Sequence, residues 1–574
     1  MKNPQKLAVT SLIVGAILAS LPSTHCAERT ADSLATAIKT GEFATYLVDL
    51  TTGLNEKVAA RTLNEWTETS LTELLEDPAV ANTLNQRELI SRTGPDELGA
   101  FAKADPANQA FLHWLLSNTE AMDLYLEACV PLGLAAREAN NHKLSVAPLA
   151  IWKKIIEHDP DAKEGLYLKL AIATAIAPPG SVNIGAGGAA TPADPVTRYQ
   201  YFKTAHGKKE LFPSFDKLSV WEYSTILCSG ASDEDLTWAR EMVNTFRPDL
   251  RVDEMVVNST SFVWRRNAPA PFWPFNGTFK NVLAGGGKCG PRSSWSQMVC
   301  HAFGVPCVGV GQPGHACAAF KAANPMVEPQ PGSAWKVAFG AGWHKSKVQG
   351  LAGPDFLAGV AERERAESFS QVEHLRWLAS ALDAKEQAAA VMEVAHKIQK
   401  TAPITQTDVK AVEPAANPDA EASTAKTTVP FTAVDGVIRV EAAAFTKTGG
   451  ENSWGGQIPH VLVHDCFTGG KQVYFQQQMK SQWADYTLDV PASGTYEITL
   501  QAACVNVDQA LEVCSGDEVI AAIPIPLSYG LWQQTQPVKV KLSKGVQTLR
   551  VQTPTTEHMR GIAVRSFELK SSGT

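Results

Sequence analysis

Cys289 and His315 are the residues of this sequence best suited to nucleophilic chemistry. Cys289 follows the glycine-rich run 285–288, and His315 follows Gln312-Pro313-Gly314. A thiolate is a strong nucleophile, and an imidazole beside it can take its proton. Consecutive glycines let the backbone turn freely and approach a ligand closely. The pattern therefore predicts a Cys–His nucleophilic pair, provided that folding brings the two side chains together.

A helix and a strand must position this pair. After Pro291, which suits a first helical turn, an apolar stripe with helical spacing indicates a helix that ends at Gly304. Residues 305–310 then have the apolar character of a buried strand, with His315 just beyond it. Cys289 is therefore expected at a helix N-terminus, where the helix dipole favours a thiolate. The stripe consists of Trp295, Met298, Val299, Ala302 and Phe303.

The same segment allows two other uses of sulfur. Zinc sites usually contain Cys pairs separated by two to four residues, and no such pair occurs here. A disulfide among Cys300, Cys307 and Cys317 is the stronger alternative in an oxidising compartment. The chain has ten cysteines, nine of them after Cys26, so an exported form would keep at least one unpaired thiol. The residues considered as metal ligands are Cys289, Cys300, His301, Cys307, His315 and Cys317.

Composition and the N-terminus indicate an exported, water-soluble protein. The 574 residues carry a formal net charge of -8, which argues against a nucleic-acid partner. Lys2 and Lys6 precede an apolar run from Leu7 to Leu21 that is short for a membrane span and typical of a secretory signal. We therefore predict a signal peptide over residues 1–26, no membrane span once it is removed, and a periplasmic, cell-surface or extracellular location.

The remaining chain changes character along its length. Residues 28–250 have helical periodicity, and residues 251–400 contain the Cys289 segment followed by further helices. Residues 401–428 are rich in Ala, Pro, Thr and acidic residues, which predicts a flexible linker. Residues 430–571 contain short segments that alternate with period two, such as Val437–Glu441 and Val538–Leu542. Such evenly spaced strands predict a β-sandwich.

The segment around Cys289 resembles the core of transglutaminase-like cysteine proteins. The resemblance is carried by Gly287-Lys288-Cys289-Gly290, Gly304-Val305-Pro306 and Gly314-His315-Ala316, in that order. It implies a papain-like α+β fold in which Cys289 is the nucleophile and His315 the general base. The family's third residue is an acid at the end of the next strand, here 334–339, where no Asp stands. Glu328 falls in the predicted hairpin turn, far from the imidazole. The remaining substitutes for the acid are Asn324, Asp355 or an upstream acid.

The C-terminal segment resembles family-6-like carbohydrate-binding modules of jelly-roll fold. The carrying runs include 438–442, 483–491, 494–496, 542–549 and 565–569. The resemblance implies glycan binding, in which sugar rings stack on exposed aromatic faces. The candidates are Trp454, Tyr529 and Trp532 in predicted loops, whereas Trp483 and Tyr486 are expected in the core.

Such modules often hold a structural Ca²⁺ between acids near the first and last strands. Here Glu441 is an acid, but Ala443 and Arg565 stand at the other expected positions. No cofactor is therefore predicted.

Together these patterns predict a multidomain fold with an α-helical N-terminal block, an α+β transglutaminase-like core and an all-β jelly-roll sandwich. The first functional hypothesis is an exported cysteine enzyme that hydrolyses or transfers amide or peptide bonds of a protein or peptide substrate. In this hypothesis the C-terminal module directs the enzyme to a polysaccharide or glycoconjugate. The alternative is a non-catalytic glycan-binding scaffold with a degenerate core. A reactive thiol at Cys289 would favour the enzyme.

Overall fold

Helices form the described chain before residue 251. A computed structural model describes residues 23–59, 66–138, 143–180, 192–251, 253–263, 278–322, 334–400, 429–452, 461–476, 479–554 and 561–572. The helices of this first region are α1 (Ser23–Thr40), α2 (Phe43–Ala59), α3 (Glu68–Glu76), α4 (Pro78–Thr93), α5 (Pro95–Ala104), α6 (Pro106–Leu116), α7 (Thr119–Ala128), α8 (Leu134–Glu138), α9 (Val146–His158), α10 (Gly165–Ile176), α11 (Pro195–Gly207), α12 (Val220–Leu227) and α13 (Asp233–Phe246). The predicted helical N-terminal region is confirmed.

Asp-Pro pairs begin several of these helices. The Asp77 carboxylate accepts a hydrogen bond from the Ala79 N–H at 2.8 Å, and proline follows it as the first residue of α4. Asp105 and Asp194 begin α6 and α11 in the same way. The carboxylate satisfies N–H groups that have no partner within the helix, and proline's fixed φ suits the first turn.

The central region places one helix and an antiparallel sheet around Cys289. The sheet has the order β3-β2-β1-β4-β5, with β1 and β2 joined by a tight hairpin. Side chains alternate across it, so Ala318 and Phe320 share the main core with Trp295 of the Cys289 helix. Trp335 on the opposite face packs edge-on against Phe356 at 5.7 Å. The elements are α14 (Phe279–Gly285), α15 (Cys289–Ala302), β1 (Cys307–Gln312), β2 (His315–Lys321), β3 (Trp335–Ala338), β4 (Lys347–Val348), β5 (Leu351–Ala352), α16 (Gly353–Arg363), α17 (Ala366–Ala381) and α18 (Lys385–Lys400).

A buried ionic cluster joins α16 and α17 to the N-terminal helices. The Arg137 guanidinium forms ion pairs with Glu362 and with Glu373, the latter at 2.5 Å. The side chains of Arg137 and Glu373 are only 2% and 4% exposed. His374, on the same helix as Glu373, contacts Asp123 of α7 at 2.9 Å. These charges are stable in the interior because each has an opposite partner.

The C-terminal region is a β-sandwich of two sheets. One sheet has the order β14-β13-β17-β11, with β8 and β6 on the other side of β11. In the second sheet β12 and β7 flank β18, and β6 pairs with β7 to link the two sheets. Tyr486 and Phe567 meet edge-on in the interior at 4.9 Å. The strands are β6 (Phe431–Val434), β7 (Val437–Glu441), β8 (Lys447–Asn452), β9 (Leu462–Asp465), β10 (Lys471–Phe475), β11 (Met479–Val490), β12 (Gly494–Cys504), β13 (Gln509–Ser515), β14 (Glu518–Ile525), β15 (Gln533–Gln534), β16 (Val538–Leu542), β17 (Gly545–Gln552) and β18 (Ile562–Ser571).

The sandwich packs directly on the helical region. Tyr474 of β10 belongs to the same buried core as Phe246 of α13, and their rings meet edge-on at 5.4 Å. The buried Gln472 side chain donates to the Thr245 carbonyl oxygen at 2.9 Å. The sandwich and the helices therefore share a packed interface. The predicted linker, 401–428, lies outside the described residues.

Three further predictions can be compared with the structure. The first strand after α15 begins at Cys307 rather than Val305, because Pro306 has no N–H for a strand ladder. The predicted signal peptide lies mostly outside the described residues, since α1 begins at Ser23. Within the described part of the chain, no helix combines the length and hydropathy needed to cross a membrane.

Candidate active site

Cys289 is the first residue of α15. The helix begins after Gly286, whose φ of 77° lies in the left-handed region that glycine adopts readily, and after the exposed Lys288. The first turn contains no acidic residue. Cys289 is half-buried and lies at the positive end of the α15 dipole.

His315 begins β2 immediately after a tight turn. Pro313 and Gly314 form the turn, and Gly314 has a φ of 66°. Nε2 of His315 lies 2.9 Å from the Phe339 carbonyl oxygen. A carbonyl oxygen only accepts, so Nε2 carries the proton, and Nδ1 of the neutral ring keeps a free lone pair. The half-buried imidazole is thus held in the tautomer that leaves Nδ1 able to accept a proton.

Phe339 immediately follows β3, at the place where the resemblance implies an acid. Its φ of 44° is unusual for a residue other than glycine, and the adjoining loop is held by hydrogen bonds. Gln312 accepts from the Ala341 N–H at 2.9 Å and donates to Ser346 Oγ at 2.9 Å. The Phe339 ring lies edge-on to His315 at 6.3 Å and beneath the Arg292 guanidinium at 5.5 Å. A main-chain carbonyl therefore makes the contact that orients the imidazole.

Of the other orienting residues named from the sequence, Asp355 is described by the structure, and it does not make that contact. Asp355 lies in the first turn of α16, and no hydrogen bond joins it to His315. Asn324 and Glu328 lie outside the described residues. In the ranges that the structure describes, the one recorded hydrogen bond of the imidazole is to Phe339.

No hydrogen bond joins Cys289 and His315 in the described part of the structure. Ser293, one turn after Cys289, donates from Oγ to the Cys317 carbonyl oxygen at 2.5 Å. Burial raises the pKa of the Cys317 thiol to about 12, with a further increase from the neighbouring Cys289. Cys317 and His315 are two residues apart on β2, so they lie on the same side of that strand. This is the side on which Cys317 packs with Trp335, opposite to the side that packs on Trp295 of α15.

A cleft of about 270 Å³ lies beside α15 and β1. Ser294, Gln297 and His301 of α15 line it, together with Cys228, whereas Cys289 and His315 do not. His301 Nε2 lies 2.8 Å from the Cys307 carbonyl oxygen, and complete burial lowers the pKa of His301 to about 4. His301 is therefore a neutral structural side chain.

The disulfide predicted among Cys300, Cys307 and Cys317 is not present, since all three are free thiols. Cys300 and Cys307 do contact each other, and burial followed by this contact raises the pKa of Cys307 well above its usual value. As for metals, the described residues contain no group of three or more His, Cys, Asp or Glu side chains that could hold an ion. At the position where a calcium acid would stand, Arg565 donates to Thr468 Oγ1 at 2.8 Å.

The predicted sugar-stacking aromatics that the structure describes are not freely exposed loop side chains. Tyr529 and Trp532 are half-buried, and both pack against the core that the helices share with part of the sandwich. The Tyr529 carbonyl oxygen accepts from Trp238 Nε1 at 3.1 Å. Trp454 lies outside the described residues, so its predicted role stays a prediction.

Trp483 is a candidate binding residue that the sequence argument missed. Tyr486 is buried as expected, but Trp483 is only half-buried and lies on the outer face of β11. The Arg550 guanidinium lies 4.0 Å from the Trp483 ring centroid and pairs with Asp485 at 2.7 Å. The signal was available, because Trp483 and Tyr486 are three residues apart and cannot share one face of a strand.

No family model matches this chain, and no curated protein matches it. The C-terminal quarter of the chain resembles carbohydrate-binding modules of families 6 and 35. One similar structure is the C-terminal family 6 module of the laminarinase LamC from Zobellia galactanivorans, with 18% identity over 24% of this chain and 99% of that chain, and a TM-score of 0.20. A module of lichenase 5A from Cellvibrio mixtus, in complex with cellotriose, has 19% identity over 24% and 97%, with a TM-score of 0.19. A Clostridium stercorarium module in complex with cellobiose has 13% identity over 25% and 99%, with a TM-score of 0.20. The description of the domain as a β-sandwich follows from its strand pairing.

Proposed function

We propose that Cys289 and His315 form the nucleophile and general base of a cysteine enzyme that acts on amide or peptide bonds. The hydrogen bond from His315 Nε2 to the Phe339 carbonyl supports this proposal most strongly. It fixes the imidazole in one tautomer and performs the orienting role that a carboxylate has in other nucleophile–base–acid arrangements.

The reaction begins with proton transfer from the Cys289 thiol to Nδ1 of His315. The thiolate then attacks the amide carbonyl carbon, and the oxyanion develops beside the first-turn N–H groups of α15. The C–N bond breaks as the imidazolium returns its proton to the leaving amine. Water or a second amine attacks the thioester, loses a proton to His315 and releases the acyl product. Catalytic hydrogen bonds are often long or poorly aligned before substrate binds, so the Cys289–His315 hydrogen bond is expected to form in the substrate complex.

The test of this chemistry is product formation from a defined peptide mixture. Wild type should release ammonia or amine products that mass spectrometry identifies, whereas Cys289→Ser should release none. Cys228→Ser is the matched control, because Cys228 is the same kind of half-buried free thiol and lies on a different element. Products that persist in Cys289→Ser, or their absence with wild type across the mixture, would contradict the proposal.

We further propose that the sandwich binds a glycan, on the strength of the sequence resemblance. Trp454, Tyr529 and Trp532 remain the proposed stacking residues, with Trp483 as an added candidate. Affinity electrophoresis in β-glucan and xylan gels would test this. Loss of retardation in Trp454→Ala or Trp532→Ala supports the loop site, loss only in Trp483→Ala moves the site to the outer face of β11, and wild type that migrates unretarded argues against glycan binding.

The proposed export rests on the N-terminal pattern of Lys2, Lys6 and the apolar run that follows. N-terminal sequencing of protein recovered from the cell envelope or medium tests it. A mature chain that begins near residue 27 is the expected result, and an intact Met1 on protein retained in the cytoplasm would contradict it.

A further inference from the structure

Two loops of the sandwich cover the chain that leads to Cys289. These docking loops are residues 505–508, between β12 and β13, and residues 526–532, between β14 and β15. Asn506 Nδ2 donates to the Leu283 carbonyl oxygen at 3.0 Å and lies 3.5 Å from that of Ala284. Both carbonyls belong to the last turn of α14, where no later helical N–H is available to bond them. The sandwich therefore supplies the cap for this helix end.

The segment between this cap and the nucleophile is very short. Only Gly286, Gly287 and Lys288 separate the end of α14 from Cys289. Gly286 donates its N–H to the Val282 carbonyl oxygen at 2.9 Å and takes a left-handed φ. Glycines have little conformational preference of their own, so neighbouring groups must fix the path of this segment. Both glycines are buried, which agrees with such support.

The second docking loop braces the same helix from another side. The Tyr529 ring lies 6.0 Å from the Lys280 ammonium of α14, and its carbonyl oxygen accepts from Trp238. Gly530 donates its N–H to the Cys504 carbonyl oxygen at 2.9 Å, and the Cys504 thiol donates to the Asn506 carbonyl oxygen at 3.2 Å. The two docking loops are thus linked to each other and act on α14 as one unit.

Asn506 itself is arranged for this contact. Its side chain is 5% exposed, and the partners of its amide nitrogen are both carbonyls, which fixes the orientation of the amide. Its Oδ1 is a buried acceptor without a hydrogen-bond partner. Keeping an unsatisfied acceptor in the interface is unfavourable, so the donor contact to α14 must outweigh that cost.

We infer that Asn506 is a positioning residue for Cys289, and that the sandwich is a structural part of the active site rather than a separable targeting domain. This inference rests on the proposed function of Cys289 as a nucleophile. Its physical content is independent of substrate: the cap at α14 sets the backbone of residues 286–288, and that backbone sets how the Cys289 sulfur is presented.

The test compares two interface variants in the full-length protein. Asn506→Leu removes the donor to α14 at nearly constant volume. Gln472→Met is the matched control, since Gln472 is also a buried amide that donates across this interface, but to Thr245 of α13. The readouts are the second-order rate constant for iodoacetamide alkylation of Cys289, followed by peptide mass spectrometry, and the thermal unfolding midpoint.

Both variants should lower the unfolding midpoint, but only Asn506→Leu should change the Cys289 rate, by about tenfold, because small misplacements of a reacting atom have large effects on rate. An unchanged rate in Asn506→Leu, or equal changes in both variants, would overturn the inference. Asn506→Ser keeps a donor on a shorter side chain and should give an intermediate rate, which provides a second reading if the leucine variant does not fold.

The outcome is separable from that of the proposed function, since alkylation requires no substrate. If the protein cleaves no peptide but Asn506→Leu changes the alkylation rate of Cys289, the positioning role of Asn506 stands and the proposed enzyme activity is wrong. If peptide products depend on Cys289 but Asn506→Leu leaves the alkylation rate unchanged, the proposed enzyme activity stands and the positioning role of Asn506 is wrong.

Discussion

The docked arrangement of the sandwich can be tested at Gly530. A Cβ added there would lie 2.4 Å from Met242 Cγ of α13, far inside van der Waals contact. Gly530 also has a φ of 79°, so alanine would add backbone strain of about 1–2 kcal/mol at any position with such a φ, inside or outside the interface. Gly436 provides the matched control, since it has a φ of 77° in the same sandwich and nothing within 4 Å of an added Cβ.

The difference between Gly530→Ala and Gly436→Ala therefore isolates the clash at the interface. Overpacking of this kind typically costs about 1–3 kcal/mol. For a domain of about 150–250 residues, each kcal/mol of destabilisation lowers the unfolding midpoint by about 2–4 °C. Differential scanning calorimetry should thus show a lower midpoint for Gly530→Ala than for Gly436→Ala, and small-angle scattering should show a larger radius of gyration. Equal midpoints and equal radii in the two variants would refute the docked interface.

Two further predictions concern the buried ionic cluster. Arg137→Met should lower the free energy of unfolding by about 3–5 kcal/mol, because it removes the closer of the two guanidinium partners that the described structure gives the buried Glu373 and leaves only Arg376 at 3.8 Å. Urea unfolding checks this, and a loss below about 1 kcal/mol would contradict it. Burial lowers the pKa of His374, but the hydrogen bond to Asp123 and nearby negative charges outweigh it, so the net pKa is raised. The stabilisation from His374 should therefore be complete below about pH 6.5 and should be lost as pH rises through the higher folded-state pKa. Urea unfolding at a series of pH values measures this dependence, and His374→Gln should abolish it. A wild-type profile that matches the variant would contradict it.

The elements around the site were predictable because their patterns are local. The stripe from Trp295 to Phe303, followed by Gly304, correctly predicted α15, with Cys289 as its first residue. Period-two alternation likewise predicted Val437–Glu441 and Val538–Leu542 as strands with the bounds that the structure has.

The contacts that define the site depend on pairing between distant segments, which a single sequence does not show. The partner of His315 is a main-chain carbonyl, and a main-chain carbonyl leaves no trace in residue type. Tyr529 and Trp532 have the composition of exposed loop aromatics, yet the loop lies against the helical region. Asn506 also gave no signal, since only the tertiary fold brings it to α14.

The most direct measurement of the central claim is the pH dependence of Cys289 alkylation in wild type and in His315→Gln. If His315 takes the thiol proton, wild type should react with iodoacetamide near neutral pH about tenfold faster than the variant, and the two rates should converge at high pH, where the thiol ionises unaided. Cys228 in the same samples should react slowly in both proteins, because burial raises the pKa of its thiol to about 11. Identical pH profiles for Cys289 in wild type and His315→Gln would contradict the proposed pair.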